Sequence, residues 1–292
     1  MPGLRYVLAL NKIIFGETSY GYLIIGFLFP LFIYKLLKNL INEKVAFYLL
    51  ISFLILPVFE NMGFGHFNYI HQIMRNHAET FSIFLIILCL YNLTSFHFEK
   101  KVNVTNAFLY CLLLSIATFC RPNYLPTTTI IFLFFLIKFY KVNIYLLFSG
   151  IIGYSFVFSS LIHNLYFGNN FAIFTESSVH FVFNDIFQSL NLKYENNLLL
   201  KQIYKWNPVY FIHRLLILLF VIYCFLKFKK NLISTLLITC TLSQHFVLLL
   251  THPDSRYAYL AWLLTFITFV YYLFNYDFEQ LRKYFRNIKI KQ

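Results

Sequence analysis

Charge is scarce in this chain: only 12% of its 292 residues are Asp, Glu, Lys or Arg, and just 11 of them are acidic. A soluble domain of this length carries about twice that charged fraction, while here 60% of the residues are hydrophobic and 22% aromatic. The apolar residues come in long runs rather than amphipathic stripes, which excludes a soluble fold and leaves a multispanning membrane protein. A disulfide framework and a zinc finger are also excluded. The five cysteines, Cys89, Cys111, Cys120, Cys224 and Cys240, are odd in number, sit mostly inside apolar runs and show no paired metal-ligand spacing, so they read as small buried hydrophobes. No glycine-rich loop is suited to cradle phosphates, which speaks against a nucleotide donor.

The formal net charge is nevertheless +13. The basic residues lie in short clusters between apolar runs, the pattern of membrane orientation signals rather than of a nucleic-acid face. Nucleic acid is therefore not an expected partner, whereas membrane lipid is. Nine apolar runs are visible, at 20–37, 45–59, 80–93, 104–119, 125–140, 144–162, 209–226, 232–250 and 258–275. Several are short for the about 20 residues of a full crossing, so tilt or kinks are expected. The predicted fold is all-α: a single polytopic transmembrane helix bundle of about nine helices over residues 1–292. Residues 163–208 are more polar and form an external segment, in which Ile186, Phe187, Leu190, Leu198, Leu199 and Ile203 are spaced like an interfacial amphipathic helix.

Grouping Lys35, Lys38, Lys44, Lys100, Lys101, Lys138, Lys141, Lys227, Lys229, Lys230 and the basic tail from Arg282 to Lys291 on one side collects 15 of the 24 basic residues there. That side is cytoplasmic by the positive-inside rule. Nine crossings then put the C-terminus inside and the N-terminus outside. Residues 1–19 have no long apolar run and no signal-peptide layout, so a helix upstream of Met1, or one that has been lost, is expected to complete the architecture.

The other side collects the chemistry. Asn61–Thr80 is the densest polar stretch, holding His66, His71, Arg75, His77 and Glu79, and the same face gains Glu17, Glu60, Arg121, His163, Asp254 and Arg256. Ionisable groups at membrane depth are costly and mark functional sites, whereas at the surface they are ordinary wetted loop residues. The histidine spacings of five and six put no two on one helical face, and no cysteine joins them, so no metal site is expected.

Arg75-Asn-His-Ala-Glu79, Arg121-Pro122-Asn123 and Thr251-His-Pro-Asp-Ser-Arg256-Tyr257 resemble, in order and in shared placement, the R-x-x-N-x-x-E, R-P-T and H-x-x-x-R-[FY] segments of lipid-linked mannosyltransferases in the GT-C superfamily. PGLRYVLAL, IIFGETSYG and HNLYFGNNFAIFT are similar to bacterial transferases of that class. In Arg75-Asn-His-Ala-Glu79 the asparagine directly follows the arginine rather than standing a few residues later. The resemblance implies a glycosyltransferase that moves a sugar, mannose by this likeness, from a polyprenyl-phosphate carrier to an extracytoplasmic glycan, lipid or protein acceptor. It implies a site on the periplasmic face of a bacterial inner membrane, or the lumenal face of the endoplasmic reticulum in a eukaryote. No cofactor beyond the lipid-linked donor is implied.

Such a transfer needs a carboxylate to take the acceptor proton and a cation for the departing phosphate. The acidic residue that the family carries after its first helix is absent, so the base falls to Glu79, Glu60, Glu17 or a residue upstream. Arginine binds phosphate bidentately and stays charged, making Arg121 and Arg256 the first expectations for the phosphate, followed by Arg75 and His163. Glu79 also suits an ion pair with Arg75 at a helix start. Asp254 suits an orienting or capping role, and Tyr257, His66 and Trp206 suit acceptor contacts. Three other classes compete: a transporter or flippase, suggested by Gly150 and Gly153 within one span, a non-catalytic envelope subunit, and a truncated remnant.

Overall fold

The computed structural model describes residues 2–18, 20–55, 69–74, 78–98, 102–139, 143–169, 171, 208–227, 231–250 and 255–275. Twelve α-helices lie among them: α1 (Pro2–Phe15), α2 (Tyr20–Leu40), α3 (Glu43–Ile55), α4 (Tyr69–Met74), α5 (Ala78–Phe98), α6 (Val104–Cys120), α7 (Leu125–Phe139), α8 (Ile144–Ser155), α9 (Ser159–Gly168), α10 (Pro208–Lys227), α11 (Leu232–Leu250) and α12 (Ser255–Asn275). The described residues contain no strand. Four helical stretches, 20–40, 122–139, 144–168 and 258–275, are long and apolar enough to cross a membrane, and three shorter apolar helices accompany them. The chain is a helical membrane protein.

Asparagine starts the helices at one end of the bundle. The Asn103 side chain accepts from the Asn106 amide at 2.7 Å, Asn143 from Tyr145 at 2.9 Å, Asn231 from Ser234 at 2.6 Å, and Asn42 from Lys44 at 2.8 Å. Each satisfies an amide that the first turn would otherwise leave without a helical partner. These four caps open α6, α8, α11 and α3. Contacts to the ends of other helices lie at the same level. Asn39 donates to Thr94 and Ser95, Lys138 to the Leu93 carbonyl, and Asn275 to the Leu40 carbonyl, while Ser149 donates to Val104. Helices α2, α5, α7 and α12 therefore arrive where α3, α6, α8 and α11 depart, and Lys35, Lys38, Lys44 and Lys138 share that end, as the lysine grouping required.

The tightest pairing is between α6 and α8, which run parallel. Ser115 donates to the Gly153 carbonyl at 2.7 Å, and a Cβ at Gly153 would stand 2.5 Å from the Phe108 carbonyl oxygen and 3.1 Å from the Leu112 nitrogen. Gly150 faces Cys111 and Phe135 in the same way. Small residues let helix backbones approach where lipid supplies no hydrophobic drive. The two glycines thus serve the packing of α8 on its neighbours. Because the obstructing atoms are backbone, Gly153→Ala is expected to destabilise the bundle by about 1–3 kcal/mol. Denaturant unfolding in detergent checks this; unchanged stability would mean the two helices are not in this contact.

Two elements differ from the sequence reading. Residues 2–15, in which the sequence shows no long apolar run, form a helix whose positions Gly3, Val7 and Asn11, four apart, face the bundle. The span beginning at Ile144 continues through a 3-10 turn at 156–158 into α9, so the polar segment expected from His163 starts inside a helix. Asn169 ends it in the left-handed conformation, at φ 47°. The amphipathic segment expected at 186–203 lies outside the described residues.

Candidate functional site at the Arg121 end

Arg121 is fixed by its successor. Pro122 disfavours helical backbone in the residue before it, so α6 stops at Cys120 and Arg121 is extended, at φ −142° and ψ 92°, with its amide still bonded to the Ala117 carbonyl at 3.0 Å. Pro122 then opens a 3-10 turn that leads into α7. The corner sends the Arg121 side chain into the protein, where its Nη2 meets the Glu79 carboxylate at 3.1 Å. Glu79 stands in the first turn of α5, where the helix dipole favours a carboxylate. The two side chains are only 2% and 1% exposed. Arg75, the partner considered in the sequence, lies outside the described residues, among which Glu79 pairs with Arg121. Both also make further interactions. Tyr22, near the start of α2, lies within electrostatic reach of Glu79 and Cys120, and its buried hydroxyl has no hydrogen-bond partner among the described residues.

Beside the pair runs an open apolar groove of about 670 Å³ between α1, the end of α6 and α9. Its walls include Tyr6, Phe119, Phe156, Ile162 and Phe167, and His163 lies among them. Tyr6 hydroxyl and His163 Nδ1 lie 3.1 Å apart, and the two rings meet edge-on with Phe119 stacked on Tyr6. Cys120 lines the groove as well, which places it one residue from Arg121. Beneath the same end, Thr118, Thr128, Thr129 and Tyr154 share hydrogen bonds, and Thr127 donates to Gln244 at 2.7 Å. These satisfied polar groups tie α6, α7, α8 and α11 together where an unbonded one would be costly.

Of the residues singled out in the sequence, Glu79, Arg121 and His163 come together at this end. Glu17 is exposed just past α1 and pairs with Lys12, whose pKa is raised by the hydrogen bond and the charge of that carboxylate. Arg256 and Tyr257 stand in the first turn of α12, their side chains not among those described, and Arg75, Glu60, His66, Asp254 and Trp206 lie outside the described residues. Among the described residues no three His, Cys, Asp or Glu side chains could hold a metal ion. Sequence reasoning missed Tyr6 and Tyr22, which stand out from 23 tyrosines only through their neighbours.

Comparison of the chain with protein-family models, curated proteins and solved structures finds no match.

Proposed function

We propose that the protein is a membrane glycosyltransferase that takes a sugar from a polyprenyl-phosphate carrier and passes it to an extracytoplasmic glycan, lipid or protein hydroxyl. What carries this reading is the juxtaposition of a buried Arg121–Glu79 pair with an apolar groove at one end of the bundle. The groove suits an isoprenoid chain, with His163 and nearby Arg5 complementing an anionic headgroup at its margin. Arg121 would meet the phosphate. As the C1–O bond breaks, its electron pair stays on the phosphate oxygen, and the guanidinium answers the growing charge. The acceptor oxygen bonds C1 while its proton passes to a carboxylate.

Glu79 is better suited to hold Arg121 than to take that proton, since its carboxylate is engaged by the guanidinium and nearly inaccessible. The base then falls to another acidic residue, Glu60 or Glu17 being the expectations closest to this end of the chain. The reading is tested by reconstituting the full chain in lipid vesicles with radiolabelled polyprenyl-phosphate mannose, then with other lipid-linked hexoses, beside a membrane glycan and lipid extract. Transfer of label from carrier to acceptor supports it. Retention of every donor intact would sink it.

Nine crossings with the lysine-rich end in the cytoplasm put the site outside, in the periplasm of a bacterium. A cysteine appended after Gln292 is then expected to resist membrane-impermeant maleimide in intact cells and to react after permeabilisation. Labelling in intact cells would reverse the orientation.

A further inference from the structure

The helix that closes the groove is attached in an unusual way. Its inner face ends at Gly3, where a Cβ would stand 2.6 Å from both the nitrogen and the Cα of Cys120. Backbone therefore sits directly on backbone, at the residue before Arg121. Midway, one hydrogen bond from Tyr6 to His163 reaches across to α9, and Tyr6 is 49% exposed. At the far end Asn11 bonds the Thr18 carbonyl at 2.6 Å and the Gly21 amide at 3.0 Å. Between those bonds lies Gly16, at φ 70°, with open space around it. Positive φ at no steric cost and freedom from neighbours suit a hinge. Leu10 lines the groove, and the face of α1 turned away from it carries exposed Arg5, Leu8 and Lys12.

We propose that α1 is a hinged cover over Cys120, the residue before Arg121, latched to α9 by Tyr6 and His163 and pivoting at its Asn11–Gly16 end. With α1 seated, Cys120 is 1% exposed and Arg121 2%, so nothing from the membrane surface reaches the guanidinium. Lifting the N-terminal half of α1 breaks the Tyr6–His163 hydrogen bond, the stacking of Tyr6 on Phe119 and the narrow backbone contact at Gly3, while the Asn11 bonds to Thr18 and Gly21 hold its other end. The inference rests on the phosphate reading of Arg121 only for what enters; the motion itself is a property of the empty protein.

Cys120 reports the motion without any substrate. The full chain in lipid nanodiscs is treated with N-ethylmaleimide, and labelling is followed by peptide mass spectrometry at Cys120 and at the buried Cys111 and Cys240. Labelling of a covered thiol tracks the population of the open form. Tyr6→Phe, which removes the latch, is expected to raise the Cys120 rate about fivefold, the worth of one modest hydrogen bond. Gly3→Val, which wedges α1 off Cys120, is expected to raise it further. In both variants Cys111 and Cys240 should stay at wild-type rates. Equal Cys120 rates in wild type and both variants would overturn the cover, as would Cys111 and Cys240 gaining reactivity in step with Cys120. Since no donor is added, loss of this result leaves the transferase assay untouched, and the reverse holds.

Discussion

Glu79→Ala is expected to destabilise the folded bundle by about 3–5 kcal/mol, because it takes the paired carboxylate from a guanidinium that is 2% exposed. The same size of loss is expected for Arg121→Ala, which takes the guanidinium from a carboxylate that is 1% exposed. Joint replacement as Glu79→Leu with Arg121→Met removes both charges at similar volume, so it should recover much of the loss, as buried pairs exchanged for apolar groups commonly do. Recovery is partial, since both side chains have additional interactions. Denaturant unfolding in detergent of the wild type, Glu79→Leu, Arg121→Met and the double variant closes a cycle that measures the coupling directly. If the double variant falls within about 0.5 kcal/mol of the sum of those two singles, the pair is not a buried unit and the account of this end of the bundle fails.

Much of the architecture was legible in the sequence because membrane hydropathy is a one-dimensional signal. Each expected apolar run falls on a helix over its described residues, and the lysines described at one end are among those grouped as a side. The asparagine caps were equally visible in principle, since Asn42, Asn103, Asn143 and Asn231 each stand just before an apolar run beside a lysine cluster. They corroborate the alternation of helix direction by a signal independent of hydropathy. Helix α1 escaped because 14 residues with Arg5, Lys12 and Asn11 among them make no long apolar run. Its inner stripe of Gly3, Val7 and Asn11 is not hydrophobic enough to announce a helix.

The site was legible as a set of residues and not as pairs. Glu79 and Arg121 were both singled out, but 42 positions separate them, and Arg75 offered a nearer partner for the carboxylate. Only the antiparallel packing of α5 on α6 brings the start of one beside the end of the other. The proline after Arg121 then decides which way the guanidinium turns. Gly150 and Gly153 illustrate the opposite failure: a pair of glycines within a span does not say in sequence which neighbour it meets, and only the distances to Phe108 and Cys111 show the close contact with α6.

Arg121→Lys separates the chemical role of this residue from its structural one. Lysine keeps a positive charge for Glu79, so the fold should persist, but a compact ammonium lacks the planar fork that grips two phosphate oxygens at once. Transfer from the polyprenyl-phosphate donor is expected to fall about 10²–10³-fold, the usual consequence of losing one well-placed donor to a developing anion. The loss should lie in kcat more than in KM, because charge on the phosphate oxygen builds only as the sugar departs. Arg256→Ala, measured in parallel, is expected to show a comparable loss if its side chain shares the phosphate. Thermal unfolding of each variant separates misfolding from lost chemistry. Folded Arg121→Lys and Arg256→Ala proteins that both turn over donor at the wild-type rate would remove arginine from the phosphate, leaving the buried pair as scaffold alone.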